Sequence, residues 1–89
     1  MRIMLFHAKN PVVLTTLPTI QSIEKDFSYV GSFDSTQPLV PALESVFVST
    51  QNLHTNWSKN GHRSTMVGDL MVVDYETTYL VDNIGFTKL

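Results

Sequence analysis

The chain has 89 residues, of which 43% are hydrophobic and 16% are charged, and it carries a net charge of −2 and no cysteine. This length leaves room for one domain, residues 1–89, and the composition is that of a globular chain and not of a disordered one. Six basic residues are too few for a surface that neutralises many phosphates, so a nucleic-acid partner is not expected. The missing thiols exclude disulfides, thiolate metal sites and cysteine nucleophiles, and we expect no cofactor.

The lengths of the apolar stretches and the N-terminal residues bear on the cellular compartment of the protein. The longest, which include residues 70–73, are far shorter than the roughly 20 residues that a membrane span needs. The N-terminal residues do not resemble a secretion signal. We therefore predict a cytoplasmic protein without membrane contact.

The first half of the chain predicts two strands and a short helix. Residues 2–8 are mostly apolar and are followed by a turn signal at 9–11, which is typical of a buried strand. A capping residue after Pro18 predicts a helix over 19–25, although the wider segment 11–26 is compatible with extended structure as well. Residues 27–33 alternate with a period of two, which predicts a second strand with one half-buried face. That face would hold Phe27, Tyr29, Gly31 and Phe33.

The clearest helix is predicted over residues 41–51. Pro41 suits a first helical turn, where its missing N–H would be unpaired anyway. Apolar and small residues then recur at helical spacing. They are Leu43, Val46, Phe47 and Thr50.

A long polar loop follows over residues 52–65, with a turn dipeptide at Asn60-Gly61. At about 14 residues it exceeds the usual connection, and loops of this length in compact domains are commonly functional. We therefore predict that it is a recognition element.

The last third predicts a β-hairpin and a final strand. The hairpin strands are residues 70–75 and 78–82, and the turn is at 76–77. The final strand covers 84–89 and bends at Asn83 or Gly85. The predicted fold is α+β: a small mixed or antiparallel sheet of four to five strands, with one main helix at about 41–51 packed on one face.

Catalytic residues are not predicted. A Gly-x-Ser-x-Gly elbow and glycine-rich phosphate loops are absent from the sequence. His7 lies in an apolar strand and is interpreted as a hydrogen-bonded core or edge histidine and not as a catalytic base. His54, His62 and Asp69 offer a second hypothesis, a metal- or ligand-binding, enzyme-like domain.

The long loop supplies the candidate contact residues. Its lone tryptophan, Trp57, either pins the loop to the core or stands exposed as a binding anchor, since tryptophan is enriched at interface hot spots. The neighbouring basic side chains form a local cluster. The predicted partner-binding set is Asn56, Trp57, Lys59, His62 and Arg63.

Five motifs occur in order over residues 29–89. They are Tyr29-Val30-Gly31, Leu43-Glu44-Ser45-Val46-Phe47 with Asn52, Arg63-Ser64, Val67-Gly68-Asp69-Leu70 and Tyr79-Leu80-Val81-Asp82-Asn83-Ile84-Gly85-Phe86. This set resembles the YodL-like domain family of bacteria, phages and plasmids. The pattern of that family is a Tyr/Gly strand, a Leu-Glu-x-[Ile/Val]-Phe helix with a nearby Asn, a loop ending in Arg-Ser, a Val-Gly/Ser-Asp strand start and a Tyr-x-Val-Asp-x-x-Gly-Phe end.

The resemblance implies a role without catalysis, because the family has no established catalytic activity. It implies a small accessory protein of a phage or mobile element that binds and modulates or inhibits a host protein, including a defence protein, in the host cytoplasm. In physical terms the motif residues specify the fold. Asp69 can accept backbone N–H groups, Gly85 permits a bend, and Arg63 can pair with Asp69 or Asp82. A nucleic-acid-binding module is a third hypothesis, and homo-oligomerisation is left open.

Overall fold

A computed structural model describes residues 1–9, 20–52 and 57–89, with residues 20–22 and Ser58 described by their backbone alone. Its elements follow the chain in the order β1, α1, β2, α2, β3, β4, β5. Their bounds are β1 Arg2–Ala8, α1 Ile20–Asp26, β2 Phe27–Asp34, α2 Leu39–Ser49, β3 Leu70–Val73, β4 Thr77–Val81 and β5 Phe86–Lys88.

The five strands form one antiparallel sheet in the order β2-β1-β3-β4-β5. The predicted α+β class, with one main helix on a sheet of four to five strands, is confirmed. Strand β1 is an interior strand because β2 pairs with one side of it and β3 with the other, and β3 is the central strand of the five. Helix α1 confirms the predicted short helix over its described residues. The part of the ambiguous segment 11–26 that precedes Ile20 lies outside the described residues.

Helix α2 covers the main core on one face of the sheet. Its buried residues are Ala42, Leu43 and Val46, which pack against Ile3 and Leu5 of β1 and against buried residues of β3 and β4. The helix begins at Leu39 and not at Pro41. Pro41 still lies in the first turn, where an N–H has no partner within the helix, so two further residues can precede it.

A β-bulge in β2 changes the predicted face of that strand. The register with β1 shifts between Leu5 and Phe6, so that Gly31 lies opposite Leu5 but Tyr29 lies opposite Phe6. Paired residues in antiparallel strands share a face. The prediction of a single face is therefore wrong: Gly31 and Phe33 face α2, whereas Phe27 and Tyr29 face the opposite side, beside Ile23 of α1.

The hairpin is confirmed with its turn two residues earlier than predicted. Strand β3 ends at Val73 and β4 begins at Thr77. Asp74 and Tyr75 both have positive φ, as a tight hairpin turn requires, and the N–H of Glu76 donates to the carbonyl of Val73 over 3.0 Å. Strand β5 is shorter than predicted, and it follows a bend at Gly85, whose φ is +73°. No helix of the described residues is long and apolar enough to cross a membrane.

Candidate functional site

Trp57 pins the long loop to the core. It opens a 3₁₀ turn, Trp57–Asn60, and its side chain is only 7% exposed within the main core cluster. The indole Nε1–H donates to the carbonyl oxygen of Arg63 over 2.7 Å, and the ring lies 6.2 Å from that of Phe33, centroid to centroid. Of the two interpretations of Trp57, the structure therefore shows the core anchor.

Arg63, near the end of this loop, forms a bidentate ion pair with Asp69. The guanidinium donates from Nη1 to Oδ2 over 2.8 Å and from Nη2 to Oδ1 over 2.7 Å. The same two nitrogens also donate to the carbonyls of Ser64 and Ala8. The sequence offered Asp69 and Asp82 as partners for Arg63, and in the structure Arg63 pairs with Asp69. The hydrogen bonds to Asp69 raise the pKa of Arg63.

The acceptor capacity of Asp69 is fully used. Its side chain is completely buried, and it also accepts the backbone N–H groups of Ala8 and Met66, at 2.9 and 2.8 Å. Each oxygen of an ionised carboxylate has two lone-pair sites. Both oxygens therefore have two donors each, and Asp69 ties β1, the loop and the start of β3 together.

His7 and two threonine hydroxyls complete a group of five residues that are buried except for the partly exposed Arg63. We name this group the polar cluster: His7, Thr50, Arg63, Thr65 and Asp69. His7 Nε2 lies 2.9 Å from Thr65 Oγ1, and Thr50 Oγ1 donates to Thr65 Oγ1 over 2.7 Å. Burial lowers the pKa of His7, as do the charges of Arg63 and His62, and the nearby Asp69 carboxylate opposes them in part. His7 is thus a hydrogen-bonded core histidine, as predicted.

The polar cluster has the residue types of a nucleophilic triad without the geometry of one. A triad histidine contacts the acid through one ring nitrogen and the hydroxyl through the other. Here Thr65 Oγ1 and Asp69 Oδ2, which lies at 3.8 Å, both face Nε2 of His7. Thr65 and Asp69 are fully buried as well. The cluster therefore holds elements together and does not present a nucleophile to a substrate.

The other predicted site residues are spread over the loop. Lys59 is exposed, whereas His62 is half-buried with its ring 5.4 Å from that of Trp57. Asn56 and His54 lie outside the described residues. Among residues 1–9, 20–52 and 57–89, His, Asp and Glu side chains do not gather in threes as a metal site would require. Asp69, the carboxylate of the metal hypothesis, is already saturated by Arg63 and two backbone donors.

Sequence reasoning missed an open groove between α2 and the β4–β5 edge of the sheet. This α2–β5 groove has a volume of about 340 Å³, and its apolar wall is formed by Phe47, Val48, Val81 and Phe86. Two carboxylates, Glu44 and Asp82, also line it. Ile84 does not itself line the groove, but it lies in the turn at its rim, between the lining residues Asn83 and Gly85 in sequence, with 95% of its surface exposed. An isoleucine within a polar turn was the available signal.

Asp82 is held in place at the end of β4. Its Oδ2 accepts the hydroxyl of Thr87 over 2.7 Å, and its Oδ1 accepts the N–H of Asn83 over 2.8 Å. These hydrogen bonds stabilise the ionised carboxylate and lower its pKa. The groove therefore carries a fixed negative charge at this end.

Comparison with known proteins found no match among protein-family models, curated proteins or solved structures. Membership of the YodL-like family remains a prediction from the five motifs.

Proposed function

We propose that this chain is a non-enzymatic binding protein that occupies a protein of a host cell and modulates or inhibits it. The setting is that of the resemblance, an accessory protein of a phage or mobile element acting in the host cytoplasm. The observation that carries the proposal is the open α2–β5 groove with Ile84 at its rim.

Covering this groove would be favourable. Burial of an isoleucine side chain contributes about 1.5–3 kcal/mol relative to exposure. Ile84 and Val48, which is 57% exposed, remain in water in the free chain. Apolar surface next to a well-formed sheet edge is typical of protein–protein contact sites.

The polar cluster supports a role without catalysis. Its acid, base and hydroxyl groups are engaged with one another and with backbone groups inside the fold. Among the described residues of the predicted contact set, Lys59 is exposed, and its positive charge can contribute to the attraction of an acidic partner.

Co-purification from host lysate tests this proposal. A tagged wild-type chain should retain a partner, and Ile84→Ser should lose it. Val40→Ser is the matched control, because Val40 is also exposed, at 54%, but lies at the opposite end of α2 from Val48. Absence of a stable partner at every salt concentration, or equal retention by both variants, would contradict the proposal.

Metal analysis of the purified chain tests the competing hypothesis of His54, His62 and Asp69. Stoichiometric zinc or iron would require Asp69 to leave Arg63 and would replace the proposed function with a metal-dependent one. We expect metal well below one ion per chain.

A further inference from the structure

The sheet has two edges, and they differ in how they are protected. Strand β2 carries the bulge, and its last residue, Asp34, is tied to Arg2 by an ion pair of 3.1 Å. Bulges and edge charges hinder the addition of another strand. Strand β5 pairs with β4 in continuous register, and among residues 1–9, 20–52 and 57–89 it is the last strand on its side.

The hydrogen bonds around β5 fix which of its backbone groups face outward. Leu89 N–H donates to Thr78 and Asp82 N–H donates to Gly85, both over about 3 Å. In an antiparallel ladder, hydrogen-bonded pairs alternate with non-hydrogen-bonded ones. Thr87 is therefore bonded to β4, and the N–H and C=O groups of Phe86 and Lys88 point to the free edge.

The same residues define a side-chain face. Phe86 lines the α2–β5 groove, and side chains two apart along a strand share a face. Lys88 therefore extends from the groove side of β5. A strand added at this edge would place every second side chain over the groove.

Charge along this edge is polarised. At the end where β4 turns into β5, the groove has the carboxylates of Asp82 and Glu44. At the other end is the ammonium of Lys88, which is exposed. A complementary segment would carry a basic residue at the first end and an acidic residue at the second.

We infer that β5 is a docking edge for an extended segment of a partner protein, which adds antiparallel to Phe86 and Lys88 and places an apolar side chain in the α2–β5 groove. The direction follows the four antiparallel ladders of the sheet. From its N-terminus the segment reads acidic, any, apolar, any, basic, so that the acidic residue lies opposite Lys88 and the apolar one opposite Phe86. This inference rests on the proposed function and specifies its partner.

A synthetic peptide tests it. The probe is acetyl-Thr-Glu-Thr-Ile-Thr-Lys-Thr-amide, and its control has the same composition with Glu and Lys exchanged. In a titration of ¹⁵N-labelled protein, the probe should shift the amide signals of Phe86, Lys88 and Gly85. The exchanged peptide should bind at least about threefold more weakly, since two surface ion pairs become two repulsions. Equal or tighter binding of the exchanged peptide overturns the inference.

Two variants separate strand addition from charge. Lys88→Pro removes an outward N–H without touching the ladder to β4 and should abolish binding of the probe. Lys88→Gln keeps the N–H and should weaken binding by less than about threefold. If Lys88→Pro is poorly folded, a probe methylated at the isoleucine nitrogen, titrated against the wild-type chain, should fail to bind. Binding of that methylated probe overturns the inference.

The lysate experiment distinguishes the two levels of the proposal. A partner retained by Lys88→Pro but lost by Ile84→Ser would leave the proposed function standing and overturn the β5 edge. Concentration-dependent shifts at Phe86 and Lys88 without peptide would point to a second copy of the chain and would also overturn it.

Discussion

The polar cluster and the α2–β5 groove lie on the same side of the sheet and have opposite characters. In the polar cluster, the charged and polar groups are buried apart from the one-third-exposed Arg63, and each buried side-chain polar atom finds a partner inside the chain. At the groove, partly exposed apolar side chains face water. The residues with the most reactive chemistry thus stabilise the fold, while mostly apolar residues form the surface that we propose for a partner.

This contrast shows that a residue can stand out by its type in the sequence or by its exposure in the structure. Asp69 and Arg63 are conspicuous in sequence because charge is rare in this chain, and burial gives them a structural role. Ile84 is inconspicuous by residue type and becomes informative only through its exposure. The following substitutions test whether the two regions separate in this way.

Outside the hydrophobic core, the largest expected effect is that of Asp69→Asn. Loss of the charge leaves Arg63 without its partner, and we expect unfolding free energy to fall by about 3 kcal/mol, the lower end for a buried pair because Arg63 is one-third exposed. Chemical denaturation followed by circular dichroism measures it. Asp34→Asn, which breaks the exposed pair with Arg2, is the control and should cost much less. Equal costs would contradict a structural role specific to the cluster.

Thr65→Val tests the hydroxyl chain of the cluster. The change removes the hydroxyl that pairs with His7 Nε2, while Thr50 keeps the carbonyls of Val46 and Phe47, so the unpaired His7 should cost about 1–3 kcal/mol. Thermal and denaturant unfolding report it. Thr87→Val removes an exposed hydroxyl from Asp82 and should have the smaller effect. A larger loss of stability from Thr87→Val than from Thr65→Val would contradict the stabilising role of the polar cluster.

The depressed pKa of His7 predicts a pH dependence. Because the unfolded chain binds the proton first, stability is complete above about pH 6.5 and falls as pH decreases toward the folded pKa, by at most about 1.4 kcal/mol per pH unit. Asp69, Arg63 and His62 are the charged or titratable groups that act on this ring. Denaturation at pH 7.5 and 5.5 measures the slope. Stability that rises on acidification in this window would contradict it.

Ile84→Ser should change stability least, by within about 0.5 kcal/mol, because the side chain is almost wholly in water. Leu43→Ala, in the core under α2, should cost about 2–5 kcal/mol. Denaturation curves of both variants provide the comparison. A large loss from Ile84→Ser would mean that the rim supports the fold and is not a free contact surface.

Local patterns predicted the elements well. The apolar run of β1, the helical spacing of α2 and the turn-bounded hairpin each depend on residues close in sequence, and the structure has all three. The pairing of Arg63 with Asp69 was also accessible as one of two choices, since both residues stood in the motif pattern. Choosing between Asp69 and Asp82 required the packing of the loop on β1.

What the sequence could not predict depends on contacts between distant segments. The residues of β2 alternate without a break in sequence, and the bulge interrupts this alternation in the structure. The residues that pair with or pack against the two halves of β2 belong to β1 and α1. The burial of Trp57 depends on a carbonyl six residues later and on rings from β1 and β2. The groove arises where α2 and β5 meet, which a linear pattern does not describe.

Because of the bulge at Val30, the two halves of β2 pack on opposite sides of the sheet. Side chains after the bulge lie under α2, and side chains before it lie under α1. Deletion of Val30 would leave Gly31 opposite Leu5 and Tyr29 opposite Phe6, so the ladder would become regular while Phe27 and Tyr29 kept their side of the sheet. The loss would be the contacts that Val30 itself makes with the core. One additional residue is therefore enough to let a strand with strictly alternating sequence serve two opposite faces.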